Sequence, residues 1–142
     1  MKESLTKRIL KEKNLRSTII RNEILSIFEK KNYALSYNDL DKELNSKFDM
    51  ATVYRTLNTF VENKIIHQIP LDSKTAYYAL SRTTGGKDGK RKEHIHFVCT
   101  NCCHTFCLED VWVSEIKLKK NFHLESLKVI AEGICDSCNN KC

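Results

Sequence analysis

The sequence predicts an α+β protein in two parts, a helical first part ending in a β-hairpin and a smaller, cysteine-rich second part. Three observations carry this. Apolar residues recur at helical spacing behind good capping residues in the first 61 positions, all seven cysteines lie after position 98, and a glycine- and lysine-rich run separates the two.

Taken in order, Thr18 can cap a helix whose apolar face is Ile20, Ile24, Ile27 and Phe28. "SYND", Ser36 to Asp39, is a capping box, with Leu40 and Leu44 on one face behind it. Asp49 can cap a third helix, "ATVYRTLNTFVENK", which turns Val53, Leu57, Phe60 and Val61 inward. "IIHQI" and "TAYYAL" are two short strands joined by the turn-forming "PLDSK". Three helices followed by a hairpin is the order of a winged helix, a helix-turn-helix with an added β wing. In that arrangement the third helix is offered to the major groove of DNA.

"TTGGKDGKRKE", residues 83–93, holds three of the four glycines and no apolar residue, and it reads as an exposed linker or loop. The expected division is therefore residues 1–82, the linker 83–93, and a second domain at 94–142. In that domain "HIHFVC" and "TFCL" are expected strands around a tight "CTNC" turn. "VWVSEIKLKK" is expected to be helical, and "LESLKVIAEGIC" alternates as another strand, closed by "CDSC". The expectation is a small α/β domain.

Composition narrows the function. With 142 residues, 41% hydrophobic and 30% charged, the chain can build a packed core and suits a soluble protein. No apolar run approaches the roughly 20 residues that span a bilayer, and "MKESLTKRILKEKN" lacks the apolar core of a secretory signal. A cytoplasmic protein is expected. Residues 1–92 carry 19 Lys and Arg against 11 Asp and Glu, net +8, while residues 93–142 carry 5 against 7, net −2. A basic front and a mildly acidic back suit a polyanion-binding module joined to something else, although a solvated lysine surface has the same charge.

Cysteines paired at x2 spacing point to metal and not to a disulfide framework. Cys99-x2-Cys102 and Cys135-x2-Cys138 are two such pairs, with 32 residues between Cys102 and Cys135. Four thiolates make a closed, tetrahedral, structural zinc site with no open position. A domain of about 50 residues is short of core, and structural zinc supplies roughly 10 kcal/mol or more of apparent binding free energy. Cys103, beside Cys102, is the second choice at that corner, because x2 spacing fits the usual turn better.

That leaves His94, His96, His104 and Cys107 in "HIHFVCTNCCHTFC". In an extended segment His94 and His96 point to one face, and Cys107 on the returning strand can meet them. A second metal site is expected there.

The chain resembles the ferric uptake regulator family of bacterial metal-dependent repressors. The resemblance rests on "TIIR" at Thr18 to Arg21, "ATVYRTLNTF" at 51–60, "HIHFVCTNC" at 94–102 and the closing "GICDSC", in order and spacing from about residue 10 to 138. It implies a winged-helix DNA-binding domain, a C-terminal dimerisation domain, a homodimer, and a regulatory metal beside the structural zinc. The implied regulatory ligands include His94, His96 and Cys107, the last where iron and peroxide sensors carry a carboxylate. Two further family ligands are missing, replaced near Ala34 and at Ala79. The softer thiolate favours zinc over iron(II) or manganese. His67 occupies a position that resembles a ligand of zinc uptake regulators, which gives an expected regulatory set of His67, His94, His96 and Cys107, with Asp72 in reserve for His67. A further site of some relatives is expected to be absent, since its positions hold Glu93, Ile95 and Leu127. Cys103, His104, His123 and Cys142 receive no role.

On DNA, the outward residues of the third helix are Thr52, Tyr54, Arg55 and Asn58, and the resemblance marks Tyr54 and Arg55 as contacts. A tyrosine ring can touch thymine methyls and Arg55 can pair with phosphate or guanine. Arg21, with Arg8 and neighbouring lysines, suits phosphate. The resemblance implies metal-dependent repression of metal-uptake genes through double-stranded operator DNA, without a membrane or a small-molecule substrate. An iron-sensing regulator and a constitutive winged-helix protein with structural zinc only are the alternatives. Catalysis is not expected. A zinc deaminase needs an HxE beside a PCxxC, and the only proline is Pro70; a thioredoxin-like enzyme uses one CxxC and not two.

Overall fold

The computed structural model describes residues 4–71, 74–81, 94–112, 116–125 and 127–140. The chain divides into two compact units, Met1–Ser81 and Arg82–Cys142. The 83–93 run lies outside the described residues, as do Asp72 and Ser73 of the expected wing turn.

Local capping chemistry starts each helix of the first unit. Helix α1 (Leu5–Glu12) begins at Ser4, whose hydroxyl accepts the Lys7 N–H at 3.4 Å. Helix α2 (Ile19–Lys31) begins at Thr18, which accepts from the Arg21 N–H at 3.3 Å, and it stops at Asn32 in the left-handed region, φ 58°. Strand β1 (Leu35–Ser36) leads into α3 (Tyr37–Glu43) through a complete capping box. Ser36 Oγ accepts the Asp39 N–H at 3.3 Å, and the Asp39 carboxylate accepts the Ser36 N–H at 2.9 Å. Helix α4 (Met50–Glu62) starts at Asp49, whose carboxylate accepts the Thr52 N–H at 3.1 Å.

Helix α4 buries Val53, Thr56, Leu57 and Phe60, the i, i+3, i+4, i+7 stripe of an amphipathic helix. Val53, Leu57 and Phe60 meet Leu10, Ile24, Leu25, Phe28, Leu35, Leu40 and Leu44 in a single core. Strands β2 (Ile66–Gln68) and β3 (Tyr77–Leu80) form the hairpin, with His67 opposite Ala79. β1 adds to the other edge of β3, so the antiparallel sheet runs β1-β3-β2. The expected winged helix is present, with an additional helix, α1, ahead of the three that the sequence pattern indicates.

The second unit is a three-stranded sheet in the order β5-β4-β6. β4 (His94–Cys99) pairs antiparallel with β5 (Thr105–Trp112) and parallel with β6 (Ile130–Gly133). Helix α5 (Asp136–Asn139) is one turn that begins at Cys135. Gly133 permits β6 to close on β4, because a Cβ there would meet the Phe97 ring at 3.0 Å. One expectation fails. The helix expected over "VWVSEIKLKK" is absent among the described residues: Val111 and Trp112 extend β5, and residues 116–119 lie in neither helix nor strand. Val111 and Trp112 are β-branched and aromatic and prefer the pleated edge that β4 offers them. The strand expected across "LESLKVIAEGIC" is confined to Ile130–Gly133, the stretch that finds a partner in β4.

Candidate metal centre and nucleic-acid interface

The end of β4, the turn after it and the start of α5 bring Cys99, Cys102, Cys135 and Cys138 together, with all four sulfurs within 4.8 Å of one another. The β4–β5 turn is tight: the Cys103 N–H donates to the Cys99 carbonyl at 2.9 Å, and Cys103 itself takes φ 62°. That left-handed residue is turned out and exposed, which leaves Cys102 at the corner. The Thr100 N–H donates to the Gly133 carbonyl at 2.8 Å, tying the knuckle to the strand that delivers Cys135.

The electrostatics of the cluster suit a cation. The N–H groups of Cys102 and Cys135 point at the Cys99 sulfur, at 3.5 and 3.3 Å. They draw its thiol down to about 6, so Cys99 is a ready thiolate. A backbone hydrogen bond from His104 pulls the Cys102 thiol down, but burial and the neighbouring sulfurs outweigh it and push that thiol up to about 12. The Cys138 amide pulls the Cys135 thiol down, but burial and the sulfurs of Cys138 and Cys99 overcome it and raise that thiol. Cys102 and Cys135 sulfurs are 3.8 Å apart, too close for several bare thiolates. A divalent ion reverses that penalty by pairing with all four. The donor set and its closeness fit a structural, closed metal site.

The second group of expected ligands is placed as follows. His96 is buried at 5% exposure on β4 and lies directly opposite Cys107 on β5. A ring nitrogen of His96 and the Cys107 sulfur are within 4.8 Å of each other. His94 opens the same strand, but the β4–β5 register shifts between His94 and Ile95, so that the backbone of His94 pairs with that of Trp112. The regular alternation expected for the two histidines is therefore interrupted by an irregularity between them. His67, on β2 of the wing, is half-buried with Nδ1 at 3.0 Å from Ser81 Oγ. Its reserve, Asp72, lies outside the described residues. Ala34 and Ala79, at the two positions where family ligands are expected to be missing, are buried, Ala79 opposite His67 in the hairpin. His104 contributes a carbonyl to the Cys99 N–H, at 2.9 Å. His123 and Cys103 are exposed, and Cys142 lies outside the described residues.

On α4, Tyr54, Arg55 and Asn58 are exposed, opposite the buried stripe. Thr52 is half-buried and its hydroxyl donates to the Asp49 carboxylate. Two hydrogen bonds from Thr52 and the nearby Arg55 hold the Asp49 carboxyl below its ordinary value, despite some burial. Arg21 donates to the Arg16 carbonyl at 2.8 Å from the start of α2. Sequence reasoning passed over Tyr37, the first residue of α3. Its ring stacks on Tyr54, with centroids 5.0 Å apart and planes 11° from parallel. No local pattern announces this contact, because it forms between two helices.

A sequence profile described as the ferric uptake regulator family matches residues 12–132. The chain belongs to the ferric uptake regulator family. A ferric uptake regulation protein of Bordetella parapertussis is 33% identical over 137 residues, covering 91% of this chain and 93% of that protein. One of Staphylococcus epidermidis is 27% identical over 138 residues, covering 94% of each. Among solved structures, a zinc uptake regulator complexed with zinc and DNA superposes with TM-score 0.63 at 22% identity, covering 96% of this chain and 97% of that one. The ferric uptake regulator of Vibrio cholerae gives 0.58 at 21%, covering 90% and 98%. At these identities the structural likeness speaks to the fold. Family membership makes the protein a metal-responsive, DNA-binding transcription regulator and not an enzyme. Among the described residues no helix is long and apolar enough to cross a membrane.

Proposed function

We propose that this member of the ferric uptake regulator family is a zinc-responsive repressor. It binds operator DNA as a homodimer when a regulatory site of His67, His94, His96 and Cys107 holds zinc, and it controls metal-uptake genes. The observation that carries the zinc reading is the pairing of His96 with Cys107 across β4 and β5. A thiolate beside an imidazole is a soft donor set that suits zinc better than iron(II) or manganese. A second, permanent zinc sits on Cys99, Cys102, Cys135 and Cys138. Cysteines paired at x2 spacing as metal ligands suit the reducing cytoplasm, where the operator is found.

Helix α4 enters the major groove, with Tyr54 and Arg55 on bases or phosphates, Thr52 and Asn58 beside them, and Arg21 on the backbone. Zinc shared by the wing and the second unit favours one arrangement of the DNA-binding heads, and DNA favours the same one. Each ligand therefore strengthens the other's binding by the same factor. The rival with support is an iron sensor, since the curated relatives carry ferric uptake names.

Operator binding measured across buffered zinc, iron(II) and manganese separates the two. Zinc is expected to act at the lowest free concentration, with Cys107→Ser and His67→Ala each shifting the response upward by tenfold or more. An unchanged zinc response in Cys107→Ser, or a stronger response to iron(II), would favour the iron reading.

A further inference from the structure

Tyr54 stands on a helix whose rotation is settled, because Val53, Thr56 and Leu57 on either side of it are buried. Tyr54 itself is 39% exposed, and an exposed tyrosine on a helix ordinarily has rotamers to choose from. Here the choice is restricted. Tyr37 lies flat against it at 5.0 Å, and Tyr37 is itself anchored. It follows Ser36, the N-cap of a complete capping box, and it packs half-buried against the core of the first unit. The stack thus joins an exposed ring to an anchored one on the face that carries Arg55 and Asn58.

We propose that Tyr37 is a positioning residue for base recognition: stacked on Tyr54, it holds the Tyr54 ring in one orientation on α4, and this fixed edge distinguishes thymine from a pyrimidine lacking the 5-methyl group. The inference rests on the reading that α4 contacts DNA. Major-groove thymine differs from every other base by its methyl, and an apolar ring edge reads it only if the ring is where the methyl will be. Preorganisation removes the entropy that Tyr54 would otherwise lose on binding. A stack that merely bolts α3 to α4 has the same geometry but predicts no effect on base discrimination.

The test uses the zinc-loaded full chain and a duplex selected by it from random-sequence DNA, beside the same duplex with deoxyuridine replacing thymine in the contacted half-sites. The native protein is expected to prefer thymine by about fourfold for each methyl it contacts, from the burial of one carbon. Tyr37→Ala should weaken thymine binding by about 3- to 10-fold, the range of an aromatic pair, and bring the thymine-to-deoxyuridine ratio near one. Tyr37→Phe, which keeps the stacking face, should restore the ratio. In a Tyr54→Ala background Tyr37→Ala should change it no further. If Tyr37→Ala fails to fold, Tyr37→Leu keeps apolar bulk without a stacking face and should show the same lost ratio. A native ratio retained in the Tyr37 variants, or no thymine preference in a native protein that binds DNA well, overturns the proposal. Failure of the underlying reading is distinct: Arg55→Ala would then leave affinity for both duplexes unchanged.

Discussion

The two units of this chain are stabilised by different means. The first buries a continuous apolar core, in which Ile24, Leu40, Val53, Leu57 and Phe60 are fully enclosed. In the second, the buried side chains among the described residues are Cys99, Cys135, His96 and Thr105, while Ile116, Leu118, Phe122, Leu124, Ile130 and Ile134 are exposed. The first unit is thus organised around an apolar core, whereas the buried side chains described in the second are mostly candidate metal ligands. Under the proposed function, a head with its own core would let metal regulate without unfolding the surface that meets DNA.

The largest effect that would break this contrast is loss of the four-cysteine site. Cys135→Ser with Cys138→Ser should release one zinc per chain and abolish the structure of the second unit, while helical circular dichroism from the first persists. Joint loss of both signals on one transition would show that the units are not independent. Conversely, Phe60→Ala should cost about 3–5 kcal/mol in the first unit, as a large aromatic cavity does, and should leave thiolate-bound zinc in place. Retained metal in thiol-titration assays checks this.

Smaller perturbations sharpen the comparison. Ser36→Ala removes the capping box of α3 and should cost about 1 kcal/mol, visible as a lower midpoint in chemical denaturation of the first unit alone. Asp49, with its carboxyl held low by Thr52, gives the smallest effect. The unfolded chain binds its proton at higher pH than the folded one, so the contribution of Asp49 is complete above the unfolded value of about 3.9 and declines as pH falls through the lower folded value. Asp49→Asn should remove that part of the acid slope, and an unchanged slope would assign it to other carboxylates.

What the sequence made legible follows the same division. Thr18, Ser36 and Asp49 were readable as helix starts because an N-cap is a contact within three residues. The cysteine quartet was readable because two short loops set its spacing. α1 carries the same local signal, Ser4 ahead of Leu5, Ile9 and Leu10. β1 is two residues long and exists through its pairing with β3, which no local pattern encodes. The strand at Val111 and Trp112 in place of an expected helix and the shortened β6 lie in the unit where β4 supplies the pairing partner. The register break beside His94 and the Tyr37–Tyr54 stack are likewise contacts between distant residues.

The central claim, that a second zinc sets DNA affinity, is tested most directly by measuring operator affinity on protein prepared with one and with two zinc ions per chain, the first held by the four cysteines. The account predicts weak binding at one zinc and a gain of about 5- to 150-fold at two, the usual range of an allosteric coupling. Equal affinity in the two preparations would contradict it and leave a winged-helix protein whose zinc is structural only.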